Sequence, residues 1–296
     1  MALAPHIRIL RPKQWTKNLL VFAALLFTAR FGEPGALTST LVAALAMCLL
    51  SSAVYVWNDI LDADRDREHP RRKNRPIAAG QVAVPMASIL AVLLLGGGVA
   101  MMYGLGRGPL WIATAYLLLQ FLYNAGGRAL AITDVFLIAS GFVLRAMLGA
   151  AAISASISGW LVFCTGCLAL MIGFAKRRSE FVLMGDAKAD SRTSLSEYSL
   201  KALDSLVLLF AAGAALTYGI YSIESETARK YPALILSAIF VVYGVSRYLV
   251  LVFGRDEGGE PEVLLFRDPH MLASVLLFVA SAALAMSGVK LPLLET

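Results

Sequence analysis

Apolar runs long enough to cross a bilayer recur along the whole chain, and no other feature limits its fold as much. They cover about 18–31, 36–57, 83–104, 109–123, 132–153, 159–175, 204–222, 231–253 and 271–288. A water-soluble domain of 296 residues, 58% of them hydrophobic, could not bury that much apolar surface. The mean hydropathy of +0.72 points the same way. The pattern predicts an all-α polytopic membrane protein, with nine transmembrane helices in one domain over 1–296 and the bilayer itself as a partner.

The placement of charge predicts the topology. His6, Arg8, Arg11 and Lys13 precede the first run, and no small-residue cleavage site closes it, so the run reads as a retained helix and not a signal peptide. With the N-terminus cytoplasmic, nineteen Lys and Arg fall on the inner side, five on the outer side and two within spans. The positive-inside rule fits that arrangement and places the C-terminus outside. The net charge of +6 therefore follows from topology, and nucleic-acid binding is excluded as a function class. Cys48, Cys164 and Cys167 all lie in apolar runs, and the CxxC they include has no second ligand pair, so they read as packing residues. Gly96-Gly97-Gly98 leaves a homo-oligomer open.

The outer loops are short, whereas the inner ones carry nearly all the ionisable residues, above all the functional loops at about 58–82 and 176–203. The first opens with Asn58-Asp59-Ile60-Leu61-Asp62-Ala63-Asp64-Arg65-Asp66. On a continuous helix Asn58, Asp59, Asp62 and Asp66 stand at about 0°, 100°, 40° and 80°, on one face, while Asp64 at about 240° points away. Carboxylates gathered so closely repel one another unless a cation neutralises them, and hard oxygens suit Mg²⁺ shared with substrate phosphates. A solvated acidic helix end paired with nearby arginines is the structural alternative. The basic run His69-Pro70-Arg71-Arg72-Lys73-Asn74-Arg75 follows at once and would bring phosphate-binding groups beside the metal.

The string from Asn58 to Gly80, NDILDADRDREHPRRKNRPIAAG, resembles the first aspartate-rich motif and basic loop of the UbiA-type prenyltransferase superfamily. That resemblance implies nine membrane helices around a cytoplasm-facing cavity that binds a magnesium diphosphate. Arg11–Asn18, Ser140–Ala146 and Lys176-Arg177-Arg178-Ser179-Glu180 together are similar to one branch, the decaprenyl-phosphate phosphoribosyltransferases of bacterial plasma membranes. Pro261-Glu262 and Arg267-Asp268-Pro269 extend the likeness less specifically.

The branch implies transfer of phosphoribose from 5-phosphoribosyl 1-diphosphate to a polyprenyl phosphate. Asp59, Asp62 and Asp66 would hold Mg²⁺ with Asn58 orienting them, and Arg71, Lys73, Arg75, Lys176 and Arg177 would grip phosphates beside Glu180. Lys17, with Arg11, Lys13, Gln14 and Trp15, is either a receiver of the lipid phosphate or part of an interfacial anchor. Tyr123 is a further substrate contact, although this chain has Tyr123-Asn124 followed by Gly126, Gly127 and Arg128 where the branch has a tyrosine-serine pair and then a lysine.

Three further charges lie within apolar runs. Asp134 and Arg145 are eleven residues apart, a rotation of about 20°, so both face either a polar cavity or each other as a salt bridge. Arg247 either contacts substrate or snorkels to the interface. Two other functions compete. A prenyltransferase acting on an allylic diphosphate would need a second DxxxD, for which Asp186–Asp190 is the only candidate; a transporter would need polar residues at mid-membrane, whereas these cluster at helix ends.

Overall fold

The structure is a computed structural model, and it describes residues 4–68, 72–184 and 193–288. Thirteen α-helices and no strand occur among the described residues: α1 (Pro5–Arg8), α2 (Ala23–Phe27), α3 (Pro34–Leu61), α4 (Ala63–Glu68), α5 (Val84–Leu105), α6 (Arg107–Asn124), α7 (Thr133–Ala152), α8 (Gly159–Met184), α9 (Leu200–Glu224), α10 (Glu226–Lys230), α11 (Leu236–Arg255), α12 (Pro261–Arg267) and α13 (Pro269–Met286). Among the described residues seven helices are long and apolar enough to cross a membrane: α3, α5, α7, α8, α9, α11 and α13. Within a bilayer every backbone polar group must be satisfied inside the segment, and α-helices do this over any length.

The other two expected spans differ from those seven for visible reasons. The run at 109–123 forms α6, but Arg107, Gln120 and Asn124 lower its apolar character. The run at 18–31 begins as a 3₁₀ helix over Pro12–Phe22 and becomes α-helical only across the five residues of α2. Side-chain bonds hold this segment on α3. Trp15 Nε1 donates to Ser52 Oγ at 3.0 Å, Ser52 in turn donates to the Leu10 carbonyl, and Asn18 donates to Cys48 Sγ. Irregular backbone at such a depth is tolerated where protein covers it, and Asn18 and Val21 are buried.

The chain groups into two compact units. The first comprises Met1–Leu25, Glu33–Asn124 and Leu144–Ala155, and the second Leu26–Gly32, Ala125–Val143 and Ser156–Thr296. In the first, α3 packs on α5, α6 and the 3₁₀ segment. Its core joins Ala43, Ala46, Met47 and Leu50 to Met102, Tyr116 and Leu148. Small residues permit the close approach. A Cβ on Gly98 would sit 2.7 Å from Leu50, and one on Gly149 would sit 1.9 Å from the Val21 carbonyl oxygen. One member of the Gly96-Gly97-Gly98 run is therefore needed for packing within the unit.

In the second unit α8 packs on α9, and α11 packs on α9 and α13. Phe174 lies at its centre, stacked on Phe210 with ring centroids 5.6 Å apart. After α11 the chain turns through Asp256 at φ 55°, and Gly258 and Gly259 then press on α8. A Cβ on Gly258 would lie 2.7 Å from the Ala175 carbonyl oxygen. This contact places the ends of α8 and α11 together.

Replacing Gly149 with alanine would force the Pro12–Phe22 segment off its seat, a cost of about 1–3 kcal/mol for overpacking. A lowered thermal midpoint in detergent would register the change. Gly96→Ala, where a Cβ meets nothing within 4 Å, is expected to leave the midpoint unchanged or slightly raised.

Candidate functional site

The acidic motif stands at the end of α3. The helix stops at Leu61, Asp62 takes ψ near 3°, and α4 resumes at Ala63. Backbone bonds from Asp62 to Asn58 and from Asp66 to Asp62 carry the helical path through this break. Asp59 and Asp66 are therefore brought together and buried, while Asp62 remains partly exposed and Asp64, fully outward, pairs with Arg67.

Arg75 joins the two buried carboxylates. Its guanidinium donates to Asp66 at 2.6 Å and to Asp59 at 3.1 Å. The loop that carries it is fixed by Ile77 and Val82, both buried in a cluster with Val56 and Ala87, and by a turn at Gly80 with φ 69°. Arg11 reaches Asp59 from the N-terminal segment and stacks 5.0 Å above the Tyr55 ring. Arg72 lies 3.9 Å from Asp66, and Lys73 is exposed. Arg71, with His69, lies outside the described residues.

Two oxygens in this cluster lack hydrogen-bond partners although they are buried: Oδ1 of Asn58 and Oδ1 of Asp66. An orphaned buried acceptor costs about 1–3 kcal/mol, so such atoms mark places where a ligand would restore the balance. No three carboxylate, histidine or cysteine groups converge on one point among the described residues. Two carboxylates and an amide oxygen nonetheless fit a hard cation that takes few protein ligands and completes its shell with phosphate and water.

The second unit has its own charged cluster at the start of α7 and the end of α8. Arg177 is buried and donates to Asp134 at 2.7 Å and to Glu180 at 2.6 Å. Lys176, one residue earlier, is exposed. Arg178 turns the other way and ties α8 to Asp204 at 2.7 Å, to Asp256 at 2.5 Å and to the Val252 carbonyl at 3.0 Å. Ile132 donates its amide to Tyr198. Burial pushes the Tyr198 phenol above its ordinary pKa. Asp186 and Asp190 lie outside the described residues.

The two charges of α7 have separate partners. Asp134 meets Arg177, whereas Arg145 donates to Asn18 at 2.8 Å and stands 5.0 Å over the Tyr116 ring. Neither Asn18 nor Tyr116 carries a charge or a motif that would single it out in sequence. Arg247 forms a two-pronged pair with Asp268, at 2.6 and 3.2 Å. Lys17 is half-buried on the 3₁₀ segment, and Tyr123 is half-buried near the end of α6. Trp15 is committed to Ser52. Arg11 and Arg178 both lie in motifs that the sequence singles out, but their partners do not show there, because they lie 48 residues away in one case and 26 and 78 in the other.

Spanning helices whose ends carry buried, arginine-crossed carboxylates define a polytopic membrane protein with an oxygen-lined ionic site. The chain belongs to the UbiA prenyltransferase family, whose model matches residues 19–267. It is 31% identical to the decaprenyl-phosphate phosphoribosyltransferase of Corynebacterium glutamicum over 94% of this chain and 86% of that protein. Against the protein of the same name from Mycobacterium tuberculosis the identity is also 31%, over 95% of this chain and 94% of that one. Among solved structures, the UbiA homologue of Archaeoglobus fulgidus bound to GPP and Mg²⁺ superposes with a TM-score of 0.73 at 17% identity, covering 96% of this chain and 99% of that one. The fold is thus that of UbiA proteins, and the chain is a multi-pass membrane transferase.

Asp134→Ala would leave Arg177 buried with one of its two counter-charges gone, a loss of about 3–5 kcal/mol. Thermal unfolding in detergent would show it directly. Asp268 provides a test by pH. Hydrogen bonds from Arg247 hold its carboxyl down to about 2, below the ordinary carboxylate value. Stabilisation by a depressed carboxylate is present above its unfolded pKa and lost as the pH falls through the folded one. The gap in thermal midpoint between the wild type and Asp268→Asn should hold constant from pH 8 to about 5, then narrow below about 4.

Proposed function

We propose that the protein transfers a 5-phosphoribosyl group from 5-phosphoribosyl 1-diphosphate to a polyprenyl phosphate, releasing diphosphate, for synthesis of a cell-envelope sugar-lipid. The observation that carries this reading is the 31% identity to decaprenyl-phosphate phosphoribosyltransferases along nearly the whole chain. The reaction would take place at the cytoplasmic face of a bacterial plasma membrane, with the N-terminus on that side and the lipid acceptor drawn from the bilayer.

In this reaction the bond from ribose C1 to the diphosphate oxygen breaks, and its electron pair leaves with diphosphate. A phosphate oxygen of the acceptor forms the new bond to C1. The transition state places positive charge on the ribose and negative charge on the leaving group, so stabilising the latter is the main task. Mg²⁺ held by Asp59, Asp62 and Asp66, with Asn58 beside them, would neutralise part of that charge. Arg75 and Arg11, which answer Asp59 and Asp66, would turn towards phosphate oxygens, for which a guanidinium fork is well matched.

Each unit offers groups of its own for the substrates: Lys17, Arg71, Lys73, Tyr123 and Arg145 in the first, and Lys176, Arg177 and Arg247 in the second, with Glu180 holding Arg177 and available as at most one metal ligand. Asp134 positions Arg177. The acceptor phosphate is already ionised near neutral pH, so no side chain need remove a proton from it.

The test is transfer of radiolabel from 5-phosphoribosyl 1-diphosphate into lipid-extractable product by purified protein with polyprenyl phosphate. Labelling should require Mg²⁺, vanish with chelator and fall by about 10²-fold or more in Asp66→Asn, since electrostatic groups of this kind contribute factors of that size. Asp64→Asn, on the outward face, should retain activity. Turnover of geranyl diphosphate with an aromatic acceptor, and none of the phosphoribosyl donor, would replace this reading with prenyl transfer.

A further inference from the structure

A cavity of about 320 Å³ opens in the second unit where α11 ends and α13 begins. Arg247, Arg255, Arg267 and His270 line it on the basic side, and Glu257 and Asp268 on the acidic side. Three arginines and a histidine outnumber the two carboxylates. Asp268 is fully engaged by Arg247 and by the Met271 amide at 2.9 Å, where it caps α13. Arg255 and Arg267 are exposed and make no ion pair among the described residues. His270 is aligned by the Tyr243 hydroxyl at 2.8 Å from its Nδ1. Two guanidinium groups without carboxylate partners, beside a third that is pinned in place, form a receptor for a tetrahedral oxyanion.

The place of the cavity at the ends of two apolar segments bears on the source of that anion. Arg255 is the last residue of one segment long and apolar enough to cross a membrane and Pro269 the first of another, so the cavity stands at the polar end of both. Its neighbours suit that position. On α12, directly before Arg267, Val263 and Phe266 are exposed, Phe266 by 65%. On α11 Val250 is exposed as well. Apolar side chains flanking free arginines at a bilayer edge match a lipid whose phosphate meets the cations while its chains lie along the helices.

We propose that the cavity bounded by Arg247, Arg255 and Arg267 is a binding site for the phosphate head group of a membrane lipid. Polyprenyl phosphate and resident anionic phospholipids share this chemistry. The inference shares Arg247 with the phosphoribosyl reading but concerns binding alone, so lipid retention tests it whether or not the transfer reaction is found.

The full-length protein in detergent would be titrated with short-chain phosphatidic acid, with phosphatidylcholine of the same chains and inorganic phosphate run in parallel, and lipid retention read by native mass spectrometry. The wild type should retain phosphatidic acid over phosphatidylcholine, and Arg255→Gln/Arg267→Gln should weaken that retention at least tenfold at an unchanged thermal midpoint. Arg255→Lys/Arg267→Lys should keep part of it. Equal retention by the wild type and the glutamine variant would overturn the site. Inorganic phosphate binding as tightly as the lipid, with the same dependence on arginine, would overturn the lipid as its source. Kinetics then distinguishes the two lipids. A KM for polyprenyl phosphate that rises in the glutamine variant while the donor KM holds would assign the acceptor, and an unchanged acceptor KM alongside lost phosphatidic acid would assign a resident phospholipid.

Discussion

Charge removed from water must be answered at once, and this requirement governs where the polar residues of the protein can stand. A buried ion costs several kcal/mol unless an opposite charge and hydrogen bonds meet it. Asp59 and Asp66 satisfy the requirement through Arg75, Asp134 through Arg177, and Arg145 through Asn18 and the face of Tyr116. These contacts do more than neutralise. They fix a loop to a helix in the first unit and join two helices in the second, so the ionic sites also fasten the tertiary structure.

Small residues complete the arrangement. Lipid chains are as apolar as leucine, so helices gain little from hydrophobicity alone and depend on close packing. Gly98, Gly149 and Gly258 each remove the one atom that would hold neighbouring backbone or side chain away. At Gly258 the loop that packs there brings Asp256 to Arg178 and leads into the helix that carries Arg267.

Much of this was legible in the sequence. The apolar runs marked the seven long helices, and the NDILDADRD string marked a helix end charged on one face. The sequence could not show that the run beginning at residue 18 would start as a 3₁₀ helix, since the cause lies in tertiary bonds from Trp15 and Asn18 to α3. The partners of the charges were equally hidden. Eleven residues of helix place Asp134 and Arg145 on one face, yet each meets a different residue from a distant part of the chain. Periodicity gives the direction of a side chain but not what waits there. Arg11 illustrates the limit, for it lies in a segment that reads as a basic interfacial anchor and ends on a carboxylate of α3.

Sharing of Arg75 between two carboxylates has a thermodynamic consequence. One guanidinium carries one charge, and it stabilises Asp59 and Asp66 together. An anionic ligand that recruits Arg75 would therefore take one counter-charge from two acidic groups at a single stroke, leaving Asp59 with Arg11 and Asp66 with the more distant Arg72, and a cation that settles on those acids would release the arginine for the anion. Each event lowers the free energy of the other, which is positive linkage between ions of opposite sign. Either ligand would then prepare the ground for its counterpart, whichever arrived first.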